Sequence, residues 1–375
     1  MMKRLTLLMV LIMSSFTMFG CKEKELVYSY GDDEIMVKVW EDKVIYNETV
    51  VLEDNGMEIS GQLIFAPTQI LSVRDYTLNK TYDPSEYEVI ENRIVRTETS
   101  TIPYLTTEQL AGQNLPEEYA LSTYQAKAPG TQIVFFEGIG IVMHQIAVSY
   151  VHEGTWTGPT PAYQGQYLQN VLAKLEANED IRVVFNGDSI STGANASGVL
   201  GISPYLDGFP TLFTNGLQNE FGVTVELINT SVGGTLSNWG KQNVDPNVNT
   251  YEPDLVVIGF GMNDGSLGVN VATFKDNIEF MIQSIRARNS EADIIIISTI
   301  LANPVSIQNA IQKDYLPGLL DLQEQYQVAL LDMSSLSEEL YKTKKGVDIL
   351  SNNINHPSDF LVRCYAAGLM ALMVN

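Results

Sequence analysis

The sequence predicts two regions of different fold class. An antiparallel β-sandwich occupies residues 21–153, and a parallel α/β sheet covered by helices on both faces occupies 166–375. Three observations carry this prediction. The first region holds short β-branched or aromatic runs and no helical periodicity. The second alternates apolar strand-like runs with helical stretches. The segment between them, 154–165, concentrates Gly, Pro and Thr as a linker does.

In the first region, "EIMVKVW", "MEISGQLIF", "EYEVIENRIVRT" and "TQIVFFEGIGIVMHQIAVSYV" read as strands, and pairs such as Asn55-Gly56 and Gly138-Ile139-Gly140 punctuate them. In the second, Leu168, Val171, Leu172 and Leu175 recur at helical spacing before the strand "IRVVFNG". "VTVELIN", "DLVVIGF", "ADIIIIST" and "QVALLDM" read as four further strands. Between two of these, Phe274, Ile278, Met281, Ile282 and Ile285 share one helical face. Strand alternating with helix requires a parallel sheet buried on both sides.

The ends of the chain read separately. "MMKRLTLLMVLIMSSFTMFGC" has a basic start, an apolar run and a small residue before Cys21, the pattern of a signal peptide over 1–20. "MFGC" resembles a bacterial lipobox, which implies lipidation of Cys21 and an exported, membrane-anchored lipoprotein, periplasmic or at the cell surface. The remaining cysteine, Cys364, sits in an apolar helical pattern and reads as a buried thiol.

The chain has 45 acidic and 22 basic residues and a net charge of −23. That charge argues against nucleic acid, whose binding needs a basic face, and disfavours electrostatic attachment to anionic lipid. A neutral partner such as a sugar chain fits better.

Active groups of a parallel α/β sheet gather at the carboxyl ends of its strands. That rule selects "NGDSIS", "NTSVGG", "GFGMNDG" and the loop holding His356. In the first, a Gly-Asp-Ser turn follows a strand and projects the Ser189 hydroxyl at the sheet edge. Serine is a weak nucleophile without a base. His144 and His152 fall in the β-rich region, which leaves His356 as the histidine of the second region. A tetrahedral intermediate also needs donors for its oxyanion. Gly233 and Gly234 offer close backbone approach, and Asn263 offers an amide; each alone also reads as an ordinary turn or loop cap.

Together, "NGDSIS", "NTSVGG", "GMND" and "NHP" resemble the four motif blocks of the SGNH/GDSL hydrolase family of serine esterases, across residues 187–357. The resemblance covers the second region and implies a three-layer α/β/α flavodoxin-like hydrolase domain. It implies Ser189 as nucleophile and His356 as base. It also implies an oxyanion hole from the Ser189 N–H, Gly234 and Asn263. No metal or other cofactor is expected.

The chain departs from the family pattern three residues before the histidine, where Asn353 replaces the usual aspartate. Such a carboxylate fixes the imidazole tautomer and stabilises the imidazolium. Three readings stand: Asn353 orients His356; a backbone carbonyl does so; or, ranked below these, another acid such as Asp348 or Asp359 supplies the charge. If Asn353 is a compromised orienter, Asn353→Asp should raise turnover.

The motifs with a preceding β-region are similar to bacterial carbohydrate esterases of the SGNH type. This implies acetylated polysaccharide or oligosaccharide as substrate. Trp239, after the oxyanion glycines, either stacks on a sugar or packs in the core. Alternatives are a lysophospholipase or lipase, a glycan-binding lipoprotein without activity, and an acetyltransferase.

Overall fold

The computed structural model describes residues 28–115 and 122–375. The leader and Cys21, on which the lipid anchor rests, lie outside the described residues.

Among the described residues the N-terminal region contains nine strands: β1 (Val44–Asp54), β2 (Ile59–Gln62), β3 (Pro67–Arg74), β4 (Tyr87–Ile90), β5 (Arg93–Arg96), β6 (Tyr104–Thr106), β7 (Ser122–Gln125), β8 (Gln132–Phe135) and β9 (Gln145–His152). Six of them run in the hydrogen-bonded order β3-β9-β1-β2-β5-β4, with β6 alongside β1, while β7 and β8 form a separate hairpin. The expected sandwich is thus one continuous sheet path that turns about the long strand β1, plus the hairpin. A register shift between Ile45 and Glu48 bends β1, with Asn47 at a φ of 49°. Such a bulge re-aims side chains, and here Glu48 is fully buried.

Two strand expectations change. "EIMVKVW" holds no strand: its first two residues close a helical turn, Asp32–Ile35, in which the Glu34 carboxylate turns back to accept from the Gly31 N–H, and the rest is bend and turn before β1. The long run over 131–151 is split into β8, a helical turn at Ile139–Val142 and β9. Glu137 and Gly138 fall at the first break.

The second region forms the expected parallel sheet from β10 (Ile181–Gly187), β11 (Val225–Asn229), β12 (Leu255–Gly259), β13 (Asp293–Ser298) and β14 (Ala329–Asp332), ordered β11-β10-β12-β13-β14. The order reverses at β10, so the switch point lies at the carboxyl end of that strand. Helices Ser237–Asn247, Val271–Arg288 and Leu316–Tyr326 cover one face, where the predicted stripe Phe274, Ile278, Met281, Ile282 and Ile285 is buried. Helices Phe209–Phe221 and Asp359–Met373 cover the other, packed through Phe185, Phe209, Phe213 and Tyr365. Cys364 is buried there, and burial pushes its thiol up to about 12.

The two regions share one core. Val50, Leu52, Ile146 and Val148 of the β-region belong to the same apolar cluster as Leu361, Leu369 and Leu372 of the last helix. Polar anchors cross the same seam. The fully buried Arg363 donates to the carbonyls of Glu34, Tyr46 and Asn47 at 2.6, 3.0 and 2.8 Å. Segment 154–164 is without helix or strand and Gly165 opens a short 3-10 turn, yet Gln164 ties the segment to Leu330 and Leu372.

Candidate active site

Ser189 stands two residues beyond β10, where the chain turns sharply. Gly187 permits the turn: a Cβ there would collide with the Gly259 carbonyl and the Ser191 hydroxyl. The turn is closed by hydrogen bonds from Ala194 N–H and Thr192 Oγ1 to the Ser189 carbonyl. Asp188 points inward and accepts from the Ile190 N–H at 3.0 Å. Burial pushes its carboxyl up to about 7, with Asp264 adding to the rise.

His356 lies 3.0 Å from the Ser189 Oγ through its Nε2. Its loop, the link between β14's layer and the last helix, is organised by Asn352. The Asn352 Oδ1 accepts from the backbone N–H groups of Ile354, Asn355 and His356, at 2.9, 2.9 and 3.0 Å. Pro357 pairs across to Leu350, and the last helix opens at Asp359, two residues later.

The other ring nitrogen, Nδ1, faces a residue that sequence reasoning missed. Glu137 Oε2 lies 3.1 Å from it. Asn195 closes a triangle with these two groups. With its oxygen toward the ring, its amide accepts from Nδ1 at 2.7 Å. Turned over, its nitrogen donates to His356 Nδ1 at 2.7 Å and to Glu137 Oε2 at 2.8 Å, and its oxygen accepts from the Gly138 N–H at 3.1 Å. The turned amide donates to an Nδ1 that carries no proton; when Nδ1 is protonated, its acceptors are Glu137 Oε2 at 3.1 Å and the unturned Asn195 oxygen at 2.7 Å. Asn352 Nδ2 holds the other Glu137 oxygen at 2.9 Å. Burial raises the Glu137 carboxyl, but the His356 hydrogen bond and charge, with the Asn352 and Asn195 amides, outweigh it and hold it below the usual range.

Asn353 is not the orienter. Its Nδ2 donates to the Val134 carbonyl at 2.7 Å and its Oδ1 accepts from Asn303 at 2.8 Å, away from the imidazole. It occupies left-handed backbone, φ 63°, which turns its side chain toward β8. The two acids weighed beside it are also engaged elsewhere. Asp348 accepts from the N–H groups of Val51 and Lys345, and Asp359 from that of Ser197. The general form of the third reading, another acid, fits the geometry, but from outside every motif block.

Gly233, Gly234 and Asn263 line the same open cleft as Ser189 and His356, a space of about 580 Å³. Gly234 has a φ of 76°, a conformation that suits glycine, and open space where a Cβ would lie. Asn263 Nδ2 donates to the Thr235 carbonyl at 3.0 Å. An amide nitrogen has two hydrogens, so the second is available in the cleft. Asp264 fixes this loop by accepting from the N–H and hydroxyl of Ser237. Trp239 is not among the residues lining the cleft: it is partly buried and packs against the core on the face covered by helices Ser237–Asn247 and Val271–Arg288.

Fold and site together define an α/β hydrolase-type domain with a serine–histidine pair at the switch point of its sheet. Residues 185–359 match the GDSL-like lipase/acylhydrolase family, so the chain carries a domain of that family. An arylesterase of Vibrio mimicus is 30% identical over 123 residues, 33% of this chain and 56% of that protein. Among solved structures, a lipase/acylhydrolase from Enterococcus faecalis is 27% identical, covering 51% of this chain and 93% of its own, with a TM-score of 0.40. A two-domain esterase active on acetylated mannans, crystallised with mannopentaose, is 19% identical with a TM-score of 0.46. That match covers 56% of this chain and 53% of the esterase. The chain thus spans little more than half the length of the arylesterase and of the two-domain esterase.

Proposed function

We propose that the protein is a serine esterase that removes acetyl or other short acyl groups from polysaccharide or oligosaccharide. The 3.0 Å contact between Ser189 Oγ and His356 Nε2 at the sheet switch point carries this reading. As the Ser189 oxygen attacks the ester carbonyl carbon, His356 Nε2 takes the hydroxyl proton. The Ser189 and Gly234 N–H groups and the Asn263 amide hold the oxyanion. Collapse expels the sugar hydroxyl, which receives the proton from His356, and leaves an acyl-serine. Water, deprotonated by the same nitrogen, then releases the acid and restores Ser189.

Two features favour a polar substrate with a small acyl group. The cleft is open and rimmed by Glu137, Thr192, Asn195, Asn263 and Asn355, with Ala194, Val199 and Leu200 as its apolar lining. The net charge of −23 suits a neutral glycan better than an anionic surface. On the leader and Cys21 rests the further proposal that the protein is exported and lipid-anchored, periplasmic or at the surface.

The test is hydrolysis of p-nitrophenyl acetate. Ser189→Ala should lower turnover by about 10³-fold or more while circular dichroism stays that of the wild type. Retained activity in that variant overturns the mechanism. Acetate release from acetylated xylan, mannan, pectin and peptidoglycan then identifies the glycan.

A further inference from the structure

We propose that Glu137, delivered by the N-terminal β-rich region, is the positioning carboxylate of the Ser189–His356 pair. The role left vacant by the missing aspartate is thereby filled from a different part of the fold. This rests on the esterase reading above and deepens it.

For His356 Nε2 to accept the serine proton, the ring must carry its own proton on Nδ1, and that proton needs an acceptor. Glu137 Oε2 at 3.1 Å is such an acceptor and brings a negative charge to the imidazolium formed during attack. The carboxylate is held directly by the histidine loop and indirectly through its own strand. Asn352, from the histidine loop itself, donates to Oε1 at 2.9 Å. Asn195, from the turn after the nucleophile, adds a neutral second acceptor for the Nδ1 proton, its oxygen 2.7 Å from the ring, which leaves Glu137 as the source of negative charge there. Behind it, β8 is pinned to the histidine loop by the bond from Asn353 to the Val134 carbonyl. The hairpin is pinned to the α/β region by the paired backbone of Gln125, Lys127, Val305 and Ile307.

Asn353 thus takes part at one remove. Where the family pattern has a carboxylate, this chain has an amide that moors the strand bringing the carboxylate. The charged groups facing the ring are Glu137 from the end of β8 and, more distantly, Asp188 from the end of β10.

The Glu137 side chain is 50% exposed. Water therefore screens its charge more than it screens a buried triad aspartate, whose conversion to the amide costs about 10⁴ in turnover. A loss of roughly 10²-fold is expected here.

The experiment compares Glu137→Gln, Glu137→Asp and Glu137→Ala in the full chain on p-nitrophenyl acetate. Glu137→Gln and Glu137→Ala should lose roughly 10²-fold in kcat with KM within about threefold. Glu137→Asp should recover part of the loss. Removing the carboxylate destabilises the imidazolium, so the acidic limb of the kcat/KM profile should move to lower pH in Glu137→Gln. Independently of turnover, the far-downfield proton resonance of an Nδ1–H···carboxylate bond should be present in wild type and Ser189→Ala. It should be absent in His356→Ala and Glu137→Gln.

A Glu137→Gln enzyme with kcat within twofold of wild type and an unmoved acidic limb overturns the proposal, as does a resonance that survives the substitution. If Ser189→Ala stays active, the esterase mechanism fails while the resonance still decides the Glu137–His356 bond. Melting curves of the three variants show whether any loss is one of folding.

Discussion

At the scale of single residues, two neighbouring asparagines have divided the work expected of one aspartate. Asn352 caps three backbone N–H groups of the histidine loop and holds Glu137, while Asn353 turns the other way toward β8. Asn353 is 4% exposed and both of its amide ends are bonded. Placing aspartate there sets a carboxylate oxygen against the Val134 carbonyl oxygen, losing a buried hydrogen bond and facing two acceptors with no donor between them. Asn353→Asp should therefore destabilise the fold by about 2–4 kcal/mol and should not raise kcat. Urea melts and p-nitrophenyl acetate kinetics check both halves; a variant faster than wild type restores Asn353 as orienter.

At the scale of elements, the turn after β10 shows what was legible in the sequence and what was not. Each of the five parallel strands was readable as an apolar run. Ser189, Gly234, Asn263 and His356 follow from the rule that places functional groups at carboxyl strand ends, and the structure brings all four to one cleft. Glu137 was not legible. It lies 219 residues from His356 in the chain, and although Gly138-Ile139-Gly140 marks a turn beside it, nothing in the pattern says that this turn meets the histidine loop. The one available signal was a charge followed by glycine inside the run "IVFFEGIGIVM". In the sequence Trp239 stays open between sugar and core for the converse reason, since composition does not tell a ring facing a cleft from one facing a core; it packs against the core.

The same turn carries a pH dependence. Asp188 is buried, its Oδ2 lacks a hydrogen-bond partner, and burial raises its carboxyl to about 7. Unfolded, an aspartate releases its proton near pH 4. Between about 4 and about 7 the native state therefore holds a proton that the unfolded chain has lost. Stability contributed by this group falls as pH rises through that window and is level above it, on the order of 4 kcal/mol in all. Asp264, near it, is raised by burial too and acts in the same direction. Melting temperature plotted against pH should slope downward more steeply in wild type than in Asp188→Asn. Equal slopes would remove Asp188 from the account.

At the scale of the whole molecule, the β-rich region is bound into the α/β region too tightly to act as a detachable appendage. Besides the shared apolar core and Arg363, a buried ion pair spans the seam. Lys344 Nζ donates to Glu48 Oε1 at 2.6 Å and to the Gln62 carbonyl at 2.6 Å, and both side chains are fully buried. Glu48 is completed by the Tyr150 hydroxyl at 2.6 Å and the Ile64 N–H. The β1 bulge that turns Glu48 inward thus links the sheet to the segment leading into the histidine loop. Breaking a buried pair from one side leaves an uncompensated charge, whereas replacing both partners does not. Lys344→Met should cost about 3–5 kcal/mol, and Lys344→Met with Glu48→Gln should recover part of that loss. Because one core serves both regions, wild type should melt in a single calorimetric transition that shifts as a whole in Lys344→Met. Two resolved transitions, with only one moved by the substitution, would show that the regions fold independently. Glu137 would then reach His356 through docking of a separately stable module rather than through a single cooperative fold.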